Sequence, residues 1–462
     1  MSTSPYLLDA YAPIYTEHTE FELPVTGSVP AELDGLFTYI GPNPVVPPVG
    51  YRERHYAWFR QDGHVAGVRL RGGGAEWFRN RWIRSRRVCR EMAEPRPPGP
   101  RHFLSDVVHT NVVCHGDLLL ALVETGCLPA RLTPTLETVE YTDLRHGLRH
   151  GVSAHPKIDP RTGRLVMIAH TPLLTWGEYV EVDGNGVVQR RDRVDFGGRP
   201  LVHDVAFTEN HALFFDSPVR FRPSVAIRGQ LPYRWDHEHQ PRLGVLSRRN
   251  ATLRWFPIDP GFVLHTVTAT EREERITLRA IRYERMFDHS DDPLAGGGGC
   301  LWEWEIDLAA GRISERQLDD RMNELPRSHP RTTTTGCRYY YAVTGSPEDI
   351  ADRQPTGVMK HDLTTGRTLV RDYGSGAVPT EALFVPRGDA EDDGWLLHLI
   401  YDTDHDTSRL MVLDATDPTG DAVATVTLPC RIPSGFHSSW IDGRDLDTVD
   451  TALRTRPNSR ER

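Results

Sequence analysis

The stretch IDPRTGRLVM, residues 158–167, places an acidic turn directly before an apolar run, and its frame returns twice along the chain. The segments IDLAAGRISE at 306–315 and HDLTTGRTLV at 361–370 repeat the order Asp-x-x-x-Gly-Arg between runs typical of strands. A short-loop hairpin needs an aspartate that binds the backbone of its own turn and a glycine that adopts positive φ. The sequence therefore predicts a β-hairpin at each of these three places.

Short apolar or alternating runs recur on both sides of these turns, and long helical periodicity is hard to find. Examples are LLLALVE, ALFFDS, RITLRAIRYE, YYYAVTG, GWLLHLIYD and AVATVTLP. The pattern predicts an all-β protein, as a sandwich, a closed barrel or a β-propeller. Hairpins extend from about residue 40 to about residue 440, and because a single sandwich would be far smaller, the propeller is favoured.

Bulk composition limits the function classes. The 462 residues carry 38% hydrophobic residues and a formal charge of -10, and the basic residues are scattered, which argues against nucleic-acid binding. The six cysteines lie far apart without a CxxC pair, so neither a disulfide framework nor a zinc knuckle is indicated. No basic segment precedes an apolar core near the N-terminus, and no run reaches membrane-spanning length, which predicts a cytoplasmic protein.

The chain shows no clear domain linker. Pro- and Gly-rich stretches at 95–100 and 295–299 have the composition of loops. After Trp440 the sequence loses its aromatic residues and most apolar residues. We therefore expect one propeller domain over residues 1–440 and a polar, disordered tail over residues 441–462.

Four histidines stand at what could be the inner ends of separate strands, where the blades of a propeller meet at the axis. They are His155 in SAHPKIDP, His203 in LVHDVAFTEN, His265 in GFVLHTVTATE and His437 in PSGFHSSWI. Taken one at a time, each is more often a core or turn histidine than a metal ligand. Eleven others lie in turns, hairpins or charged loops and are expected to be exposed to solvent: His115, His146, His150, His170, His211, His237, His239, His329, His361, His398 and His405.

Motifs along nearly the whole chain, from about residue 10 to about residue 440, resemble in order the signatures of the carotenoid cleavage oxygenases. They include GSVPAELDGLFTYIGPNP, WFRQDGHVAGV, HTNVVCHGDLLLALVETGCLPARL, SAHPKIDP, VHDVAFTEN, LPYRWDHEHQPRLGVLSRR, GFVLHTVTATE, NELPRSHPR, PTEALFVPR and PSGFHSSWI. The resemblance implies a seven-bladed β-propeller with loops that cap one face over an axial non-haem iron site. It implies four Fe(2+) ligands: His155, His203, His265 and His437.

The resemblance also implies residues that support catalysis around the metal. Three glutamates would accept the outer ring N–H groups of three ligands: Glu124 from His203, Glu324 from His265 and Glu381 from His437. Neutral imidazoles bring no charge to the metal, so such carboxylates would orient the rings and offset the charge of the ion. Thr110 matches a threonine whose methyl group crowds one coordination position and leaves another for O2. Surface ion pairs and an ordinary strand threonine are the alternatives for these four residues.

The implied activity is cleavage by O2 of a carbon–carbon double bond in an elongated, conjugated, apolar substrate, giving two carbonyl products. Relatives that act on stilbenes or phenylpropenes usually place a lysine beside the glutamate matched here by Glu124, but this chain has Val123. A carotenoid or apocarotenoid is therefore favoured over a stilbene or phenylpropene. A non-oxidative isomerase or hydrolase on the same iron scaffold, and a propeller that only binds a partner, stay open.

Two departures from the family pattern stand near the implied site. Tyr39 replaces a usual arginine before IGPNP, and TVTATE at 266–271 replaces a stretch that usually carries Asn and Trp after His265. Substrates of this kind reside in membranes, so peripheral membrane contact is compatible with the sequence, although no strongly amphipathic basic helix indicates it. The oligomeric state is not indicated.

Overall fold

The computed structural model describes residues 4–102, 105–227, 231–288 and 297–455. Within these residues the chain forms 34 strands, five α-helices and four short 3-10 helices. The first strands are β1 Thr19–Phe21, β2 Val25–Gly27, β3 Gly35–Pro42, β4 Gly63–Arg71, β5 Gly74–Trp82, β6 Asn111–His115, β7 Leu118–Leu122, β8 Ala130–Leu132, β9 Thr138–Tyr141, β10 Gly151–Val152, β11 Lys157–Ile158 and β12 Leu165–His170.

The strands of the middle of the chain follow in the same order. They are β13 Trp176–Val182, β14 Val188–Asp195, β15 Ala206–Phe207, β16 His211–Asp216, β17 Val219–Phe221, β18 Tyr233–Trp235, β19 Arg242–Ser247, β20 Leu253–Pro257, β21 Phe262–Arg272, β22 Arg275–Tyr283, β23 Cys300–Asp307 and β24 Arg312–Gln317.

The last strands are β25 Asn323–Arg327, β26 Tyr339–Thr344, β27 Gly357–Asp362, β28 Thr368–Asp372, β29 Ala377–Pro379, β30 Leu383–Pro386, β31 Gly394–Asp402, β32 Thr407–Asp414, β33 Ala424–Thr427 and β34 His437–Asp442. The α-helices are α1 Tyr51–Arg54, α2 Arg86–Glu91, α3 Pro223–Ile227, α4 Pro347–Ala351 and α5 Gly443–Thr455. The 3-10 helices are Pro5–Leu7, Asp9–Tyr11, Trp58–Arg60 and Pro330–Thr332.

Seven sheets of four to six strands form the blades of a β-propeller, which confirms the expected fold. We number the blades along the chain: blade 1, β6–β9; blade 2, β10–β14; blade 3, β15, β16, β19 and β20; blade 4, β21–β24; blade 5, β25–β28; blade 6, β29–β33 with β2; blade 7, β34 with β3, β4, β5 and β1. The pair β17–β18 forms a separate two-stranded sheet.

Both ends of the chain close the ring. The late strand β34 pairs antiparallel with the early strand β3, where Ile40 lies opposite His437. The early strand β2 pairs antiparallel with β33, where Val25 lies opposite Val426. Each closing blade therefore combines strands from opposite ends of the sequence, and His437 sits in one of these two closures.

The three Asp-x-x-x-Gly-Arg segments form the predicted hairpins, β11–β12, β23–β24 and β27–β28. Each aspartate side chain accepts a backbone N–H of its own turn: Asp159 from Arg161 at 3.0 Å, Asp307 from Ala310 at 2.8 Å and Asp362 from Thr364 at 2.9 Å. The glycines Gly163, Gly311 and Gly366 have φ of 67°, 67° and 72°. The local chemistry that predicted these hairpins is the chemistry that forms them.

The core lies between neighbouring blades. For example, Val166 and Ile168 of β12 pack against Phe207 and Phe214 of the next blade, and all four side chains are fully buried. Because each blade is covered on both faces, residues inside its strands are buried whichever face they occupy. Alternation of apolar and polar residues is therefore a weak guide to exposure in this fold.

The prediction of solvent exposure is wrong for five histidines, His115, His170, His329, His361 and His398, whose exposed fractions are 5%, 3%, 3%, 4% and 0%. Four of them belong to strands, and coverage of both blade faces buries them. Their rings find local partners instead of metal: His398 Nε2 lies 2.8 Å from the Tyr373 hydroxyl, and His361 Nδ1 lies 2.8 Å from the Thr368 hydroxyl. His146, His237 and His405 are exposed as expected.

The expected disordered tail is also wrong for residues 441–455, which complete β34 and form α5. Leu446 and Val449 are buried, and with the partly buried Leu453 they pack against the apolar cluster between blades 7 and 1. Their spacing of three and four residues places them on one face of a helix. Low average hydrophobicity hid this pattern, because the other face of α5 is polar. Residues 456–462 of the expected tail lie outside the described residues.

We expect Leu446→Ala to lower the free energy of unfolding by about 2 kcal/mol or more, since it removes a buried side chain and leaves a cavity. Urea unfolding followed by tryptophan fluorescence measures this change. Asp447→Ala, on the exposed face of the same helix, is the matched control and should stay within about 0.5 kcal/mol of the parent. Equal effects of both changes would show that α5 does not stabilise the ring.

No helix in the described part of the chain combines the length and the apolar composition needed to cross a bilayer.

Candidate metal centre

The four histidines singled out in the sequence meet at one point. His155 lies between β10 and β11, His203 lies just before β15, His265 lies within β21 and His437 begins β34. They come from blades 2, 3, 4 and 7, and their exposed fractions are 7%, 7%, 4% and 2%. One ligand atom from each lies within 4.8 Å of the other three. Residues 48 to 282 positions apart in the sequence thus form one compact group.

Their inner ring nitrogens face each other. His203 Nε2 lies 3.0 Å from His265 Nε2, which lies 3.3 Å from His437 Nε2. His155 lies against all three, with its ring centroid 4.7, 4.8 and 4.1 Å from those of His203, His265 and His437. Two imidazole nitrogens bound at right angles to one ion at about 2.1 Å would lie about 3 Å apart. The observed spacing fits such an ion.

The outer nitrogens of three rings are held by the three predicted glutamates. The carboxylates lie within hydrogen-bonding distance in the predicted pairs: Glu124 at 2.9 Å from His203 Nδ1, Glu324 at 2.6 Å from His265 Nδ1 and Glu381 at 2.9 Å from His437 Nδ1. An ionised carboxylate only accepts, so each Nδ1 carries the proton and each Nε2 presents a lone pair to the centre. This is the tautomer that a metal ion requires.

Burial shifts the protonation of these groups. It lowers the pKa of His155 well below its usual value, and the rings of His437 and His203 act in the same direction. Burial also lowers the pKa of His437 to about 4, although Glu381 opposes this change. Burial alone would raise the pKa of Glu124, but His203 brings it down to about 2. Burial alone would lower the pKa of His265, but Glu324 raises it above its usual value. The site therefore combines neutral imidazoles at His155 and His437 with ionised carboxylates at Glu124 and Glu381.

Charge and donor chemistry both favour a divalent cation at this point. The three glutamates carry three negative charges, and the guanidinium of Arg327, 2.8 Å from Glu381, offsets one of them. Two negative charges remain beside the four imidazole rings. His155 Nε2 is buried and has no hydrogen-bond partner in the structure, and three further nitrogen lone pairs point at each other. A divalent ion between these nitrogens would accept the lone pairs of all four and would balance the two remaining negative charges.

Every blade supplies one residue to this arrangement. Blades 2, 3, 4 and 7 supply the histidines, and blades 1, 5 and 6 supply Glu124, Glu324 and Glu381. Glu124 follows β7, Glu324 lies in β25, and Glu381 lies between β29 and β30. The sevenfold ring is therefore the scaffold that brings distant chain segments to one axis.

Thr110 stands beside this centre. Its hydroxyl donates to Glu124 Oε2 at 3.1 Å, and the residue is 2% exposed. His109, which the sequence reading did not single out, is buried next to it. The ring nitrogens of His109 lie 3.1 Å from the Phe59 carbonyl oxygen and 3.2 Å from the Thr110 hydroxyl. Its place directly before Thr110 was the only available signal, because nothing in the local pattern distinguishes it from a core histidine.

Tyr39 and the segment 266–271, the two departures from the family pattern, both form hydrogen bonds near the site. Tyr39 is buried, and its hydroxyl accepts the Gly435 backbone N–H at 2.6 Å, so it supports the segment that leads to His437. In the segment 266–271, the Thr268 hydroxyl accepts the backbone N–H of Cys337 at 3.0 Å. The Thr266 hydroxyl donates to Asp204 of the neighbouring blade at 2.6 Å.

Gly435 allows the chain to pass close to β3 just before His437. A Cβ at this position would lie 2.8 Å from the Ile40 carbonyl oxygen and 2.9 Å from the Gly41 Cα. Gly435→Ala is therefore expected to lower the free energy of unfolding by about 1–3 kcal/mol and to weaken metal retention, because β34 must shift. Chemical denaturation and metal analysis of the purified protein measure both effects.

Gly184→Ala is the control, since no heavy atom lies within 4 Å of a Cβ there. It should change stability by no more than about 0.5 kcal/mol. A Gly435→Ala protein as stable and as metal-loaded as the control would contradict the close approach.

An apolar cavity of about 220 Å³ adjoins the histidines. His203, His265 and His437 form part of its wall, together with aromatic residues such as Tyr11, Trp58, Phe59, Tyr233, Tyr283 and Phe436. The ring of Phe436 lies 4.9 Å from that of Trp58 and 5.7 Å from that of Phe59, between centroids. These rings come from the N-terminal and C-terminal parts of the chain. The sequence reading missed them, because aromatic residues are equally common in cores.

Comparison with known proteins shows the family. The retinal pigment epithelial membrane protein family matches residues 11–442. A carotenoid cleavage oxygenase of Mycobacterium tuberculosis is 33% identical, over 95% of this chain and 98% of that protein. The apocarotenoid-15,15'-oxygenase of Synechocystis is 30% identical, over 90% of this chain and 92% of that protein.

Solved structures show the same fold. The cobalt-substituted apocarotenoid oxygenase of Synechocystis has a TM-score of 0.83 and 28% identity, covering 95% of this chain and 98% of that one. The lignostilbene dioxygenase of Pseudomonas brassicacearum has a TM-score of 0.86 over 95% of this chain and 99% of that one, but at 23% identity it shows the fold alone. The chain therefore belongs to the retinal pigment epithelial membrane protein family, the family of the carotenoid cleavage oxygenases.

Proposed function

We propose that this protein is an iron(II) dioxygenase that cleaves one carbon–carbon double bond of a carotenoid or apocarotenoid. The reaction takes R–CH=CH–R′ and O2 to R–CHO and R′–CHO, so both oxygen atoms enter the products and no further reductant is needed. The observation that carries the proposal is the group of four buried histidines, with nitrogens 3.0 and 3.3 Å apart, at the wall of an apolar cavity.

The residues fit iron(II). His155, His203, His265 and His437 would hold the ion, and imidazole suits iron among the first-row metals. The usual ligand set of non-haem iron oxygenases contains a carboxylate, but here each glutamate is engaged with the outer nitrogen of a histidine. Iron(II) supplies the one-electron chemistry that O2 requires.

The protein's own residues bind and orient the substrate. The aromatic wall formed by Trp58, Phe59 and Phe436 offers apolar faces to an extended conjugated chain. Phe436 directly precedes His437, so a chain that packs on this ring lies beside the metal site. Glu124, Glu324 and Glu381 keep the histidine rings oriented. We propose further that the methyl group of Thr110 limits access beside the metal, in line with the family resemblance.

A stilbene or phenylpropene is the weaker candidate for the substrate. The sequence contains only two lysines, Lys157 and Lys360. Both form ion pairs, with Asp204 and Asp392, and neither is part of the described cavity wall. A lysine that binds a phenolic oxygen is therefore missing from that wall. The cytoplasmic location and peripheral membrane contact stay predictions.

The test is anaerobic reconstitution with Fe(II), followed by addition of ¹⁸O2 and single substrates from a panel of carotenoids, apocarotenals and phenylpropenes. Mass spectrometry should show two aldehydes, each carrying one ¹⁸O, from at least one carotenoid or apocarotenoid. Carbonyl exchange with water must be limited by rapid trapping of the aldehydes. Turnover without O2 uptake would instead establish an isomerase or hydrolase, and a protein that retains no Fe(II) would support a scaffold role.

A further inference from the structure

The chain uses arginine almost everywhere, which makes its lysines informative. Of the 54 lysine and arginine residues, only Lys157 and Lys360 are lysines. Arginine presents a planar fork, whereas lysine presents a compact ammonium with three donors. A position that keeps lysine in such a chain is a candidate for a site that needs the ammonium geometry.

Lys157 places its ammonium in a partly buried cluster with Asp204 and Thr266, next to the histidines in sequence. Its Nζ donates to Asp204 Oδ1 at 2.8 Å, to Asp204 Oδ2 at 3.0 Å and to the Thr266 hydroxyl at 2.6 Å. Asp204 also accepts the Thr266 hydroxyl at 2.6 Å and the backbone N–H groups of Thr266 and Val205 at 2.8 and 2.7 Å. The side chain of Asp204 is 5% exposed and that of Lys157 is 25% exposed, so the carboxylate is removed from water and the ammonium is partly buried.

Each member of this cluster adjoins a histidine of the metal centre. Lys157 follows His155 by two residues, Asp204 follows His203 directly, and Thr266 follows His265 directly. His155 and Asp204 also form a parallel β-bridge between blades 2 and 3. One ion pair therefore ties together the backbones of three neighbouring blades at the point where each presents its histidine.

His155 differs from the other three histidines in its hydrogen bonding. The other three pair with glutamates through Nδ1, but no carboxylate of the described residues forms an ion pair with His155. A ring without a carboxylate partner depends on its backbone for its position. The cluster of Lys157, Asp204 and Thr266 fixes that backbone.

We propose that Lys157, Asp204 and Thr266 form a positioning clamp that sets the geometry of His155, His203 and His265 toward the metal. The inference rests on the proposed metal function and deepens it. The clamp residues do not line the cavity, so they act through the histidines and not on the substrate. The ammonium is required because three short bonds diverge from one nitrogen, which a planar guanidinium cannot reproduce in the same space.

The experiment compares Lys157→Arg with Lys360→Arg. Lys360 is the control: it also pairs with an aspartate, Asp392 at 2.7 Å, its side chain is 7% exposed against 25% for Lys157, and it lies in β27 away from the histidines. Both proteins are loaded with Co(II), whose affinity is measured by competition with a chelator and whose coordination is read from the visible absorption spectrum. Thermal unfolding of the metal-free proteins reports stability separately.

We expect Lys157→Arg to weaken Co(II) binding by about 10-fold to 100-fold and to change the positions or intensities of the Co(II) bands. The Fe(II)-loaded variant should lose kcat while KM stays close to that of the parent. Lys360→Arg should bind Co(II) within about 2-fold of the parent and show the parent spectrum. Thr266→Val, which keeps the branched shape but removes the hydroxyl, should shift the spectrum in the same direction as Lys157→Arg.

If Lys157→Arg and Thr266→Val both keep the parent affinity and spectrum, the clamp is refuted, even where their unfolding temperatures fall. If Lys157→Arg does not fold, Thr266→Val alone decides. Parent protein that takes up no Co(II) or Fe(II) would instead refute the metal function on which the inference rests.

Discussion

Replacing His265 with alanine is expected to abolish both metal retention and turnover. The change removes one of four nitrogens and leaves the Glu324 carboxylate, which lies 2.6 Å from His265 Nδ1 in the parent, without its partner. His265 Nε2 also lies within 3.3 Å of the nitrogens of both His203 and His437, so its loss opens the middle of the group. Metal analysis after anaerobic reconstitution and O2 uptake with an active substrate measure the two losses.

The control is His398→Ala, which removes a histidine that is 0% exposed but lies outside the metal centre. His398 binds the Tyr373 hydroxyl at 2.8 Å, so its loss should lower stability while metal content stays close to that of the parent. The pair separates loss of metal from general loss of packing. An iron-replete, active His265→Ala protein would contradict the assignment of the site.

The sequence predicted those parts of the fold that local chemistry determines. In each Asp-x-x-x-Gly-Arg turn, the aspartate and the glycine act within a few residues of each other, so the signal is complete in the segment itself. The four histidines were identifiable because each stands in a separate motif at what the sequence indicates as the inner end of a strand. The family resemblance then predicted that the four histidines bind one metal ion and that each glutamate pairs with one histidine.

Other features depend on contacts that no local segment contains. The pairing of β34 with β3 joins residues about 400 positions apart, such as Thr38 and Ser439. The sequence of neither strand indicates which strand it pairs with. His398 is buried because blades cover both faces of β31, a property of the ring and not of the strand. The helix α5 was missed for a different reason: its apolar face was visible at Leu446 and Val449, but average composition concealed it.

The clamp behind the histidines shows the same limit. Lys157, Asp204 and Thr266 each stand inside a motif that carried the resemblance, yet their ion pair and hydrogen bonds cross three blades. Spacing along the chain, from residue 157 to residue 266, gives no hint of that contact. The sequence thus shows which residues adjoin a predicted ligand along the chain. Only the structure shows which of those residues contact each other and hold the ligands together.

The three glutamates should not respond equally to replacement by glutamine. Glu324 pairs with His265, and no lysine or arginine of the described chain forms an ion pair with it. A glutamine can present its carbonyl oxygen to the same ring N–H. We expect Glu324→Gln to lower the rate by about 10-fold to 100-fold while much of the metal stays bound.

Glu381→Gln is expected to have a larger effect, because both oxygens of Glu381 already face donors. Besides His437, the carboxylate accepts Arg327 Nη2 at 2.9 Å and the Ser438 backbone N–H at 2.6 Å. The amide group of a glutamine would therefore face a donor in either orientation, and Arg327 would lose its ion pair. We expect a loss of about 3 kcal/mol in stability, at the lower end for a broken buried pair because the Arg327 side chain is 25% exposed.

Denaturant unfolding of the metal-free proteins and metal analysis of the loaded proteins distinguish the two cases. Glu324→Gln should unfold close to the parent, whereas Glu381→Gln should unfold earlier and also lose metal, since His437 and its strand β34 both depend on the carboxylate. The double variant Glu381→Gln with Arg327→Met removes the unpaired cation and should recover part of the lost stability without restoring the metal. Equal stability of the two glutamine variants would show that the ion pair between Arg327 and Glu381 does not stabilise the protein.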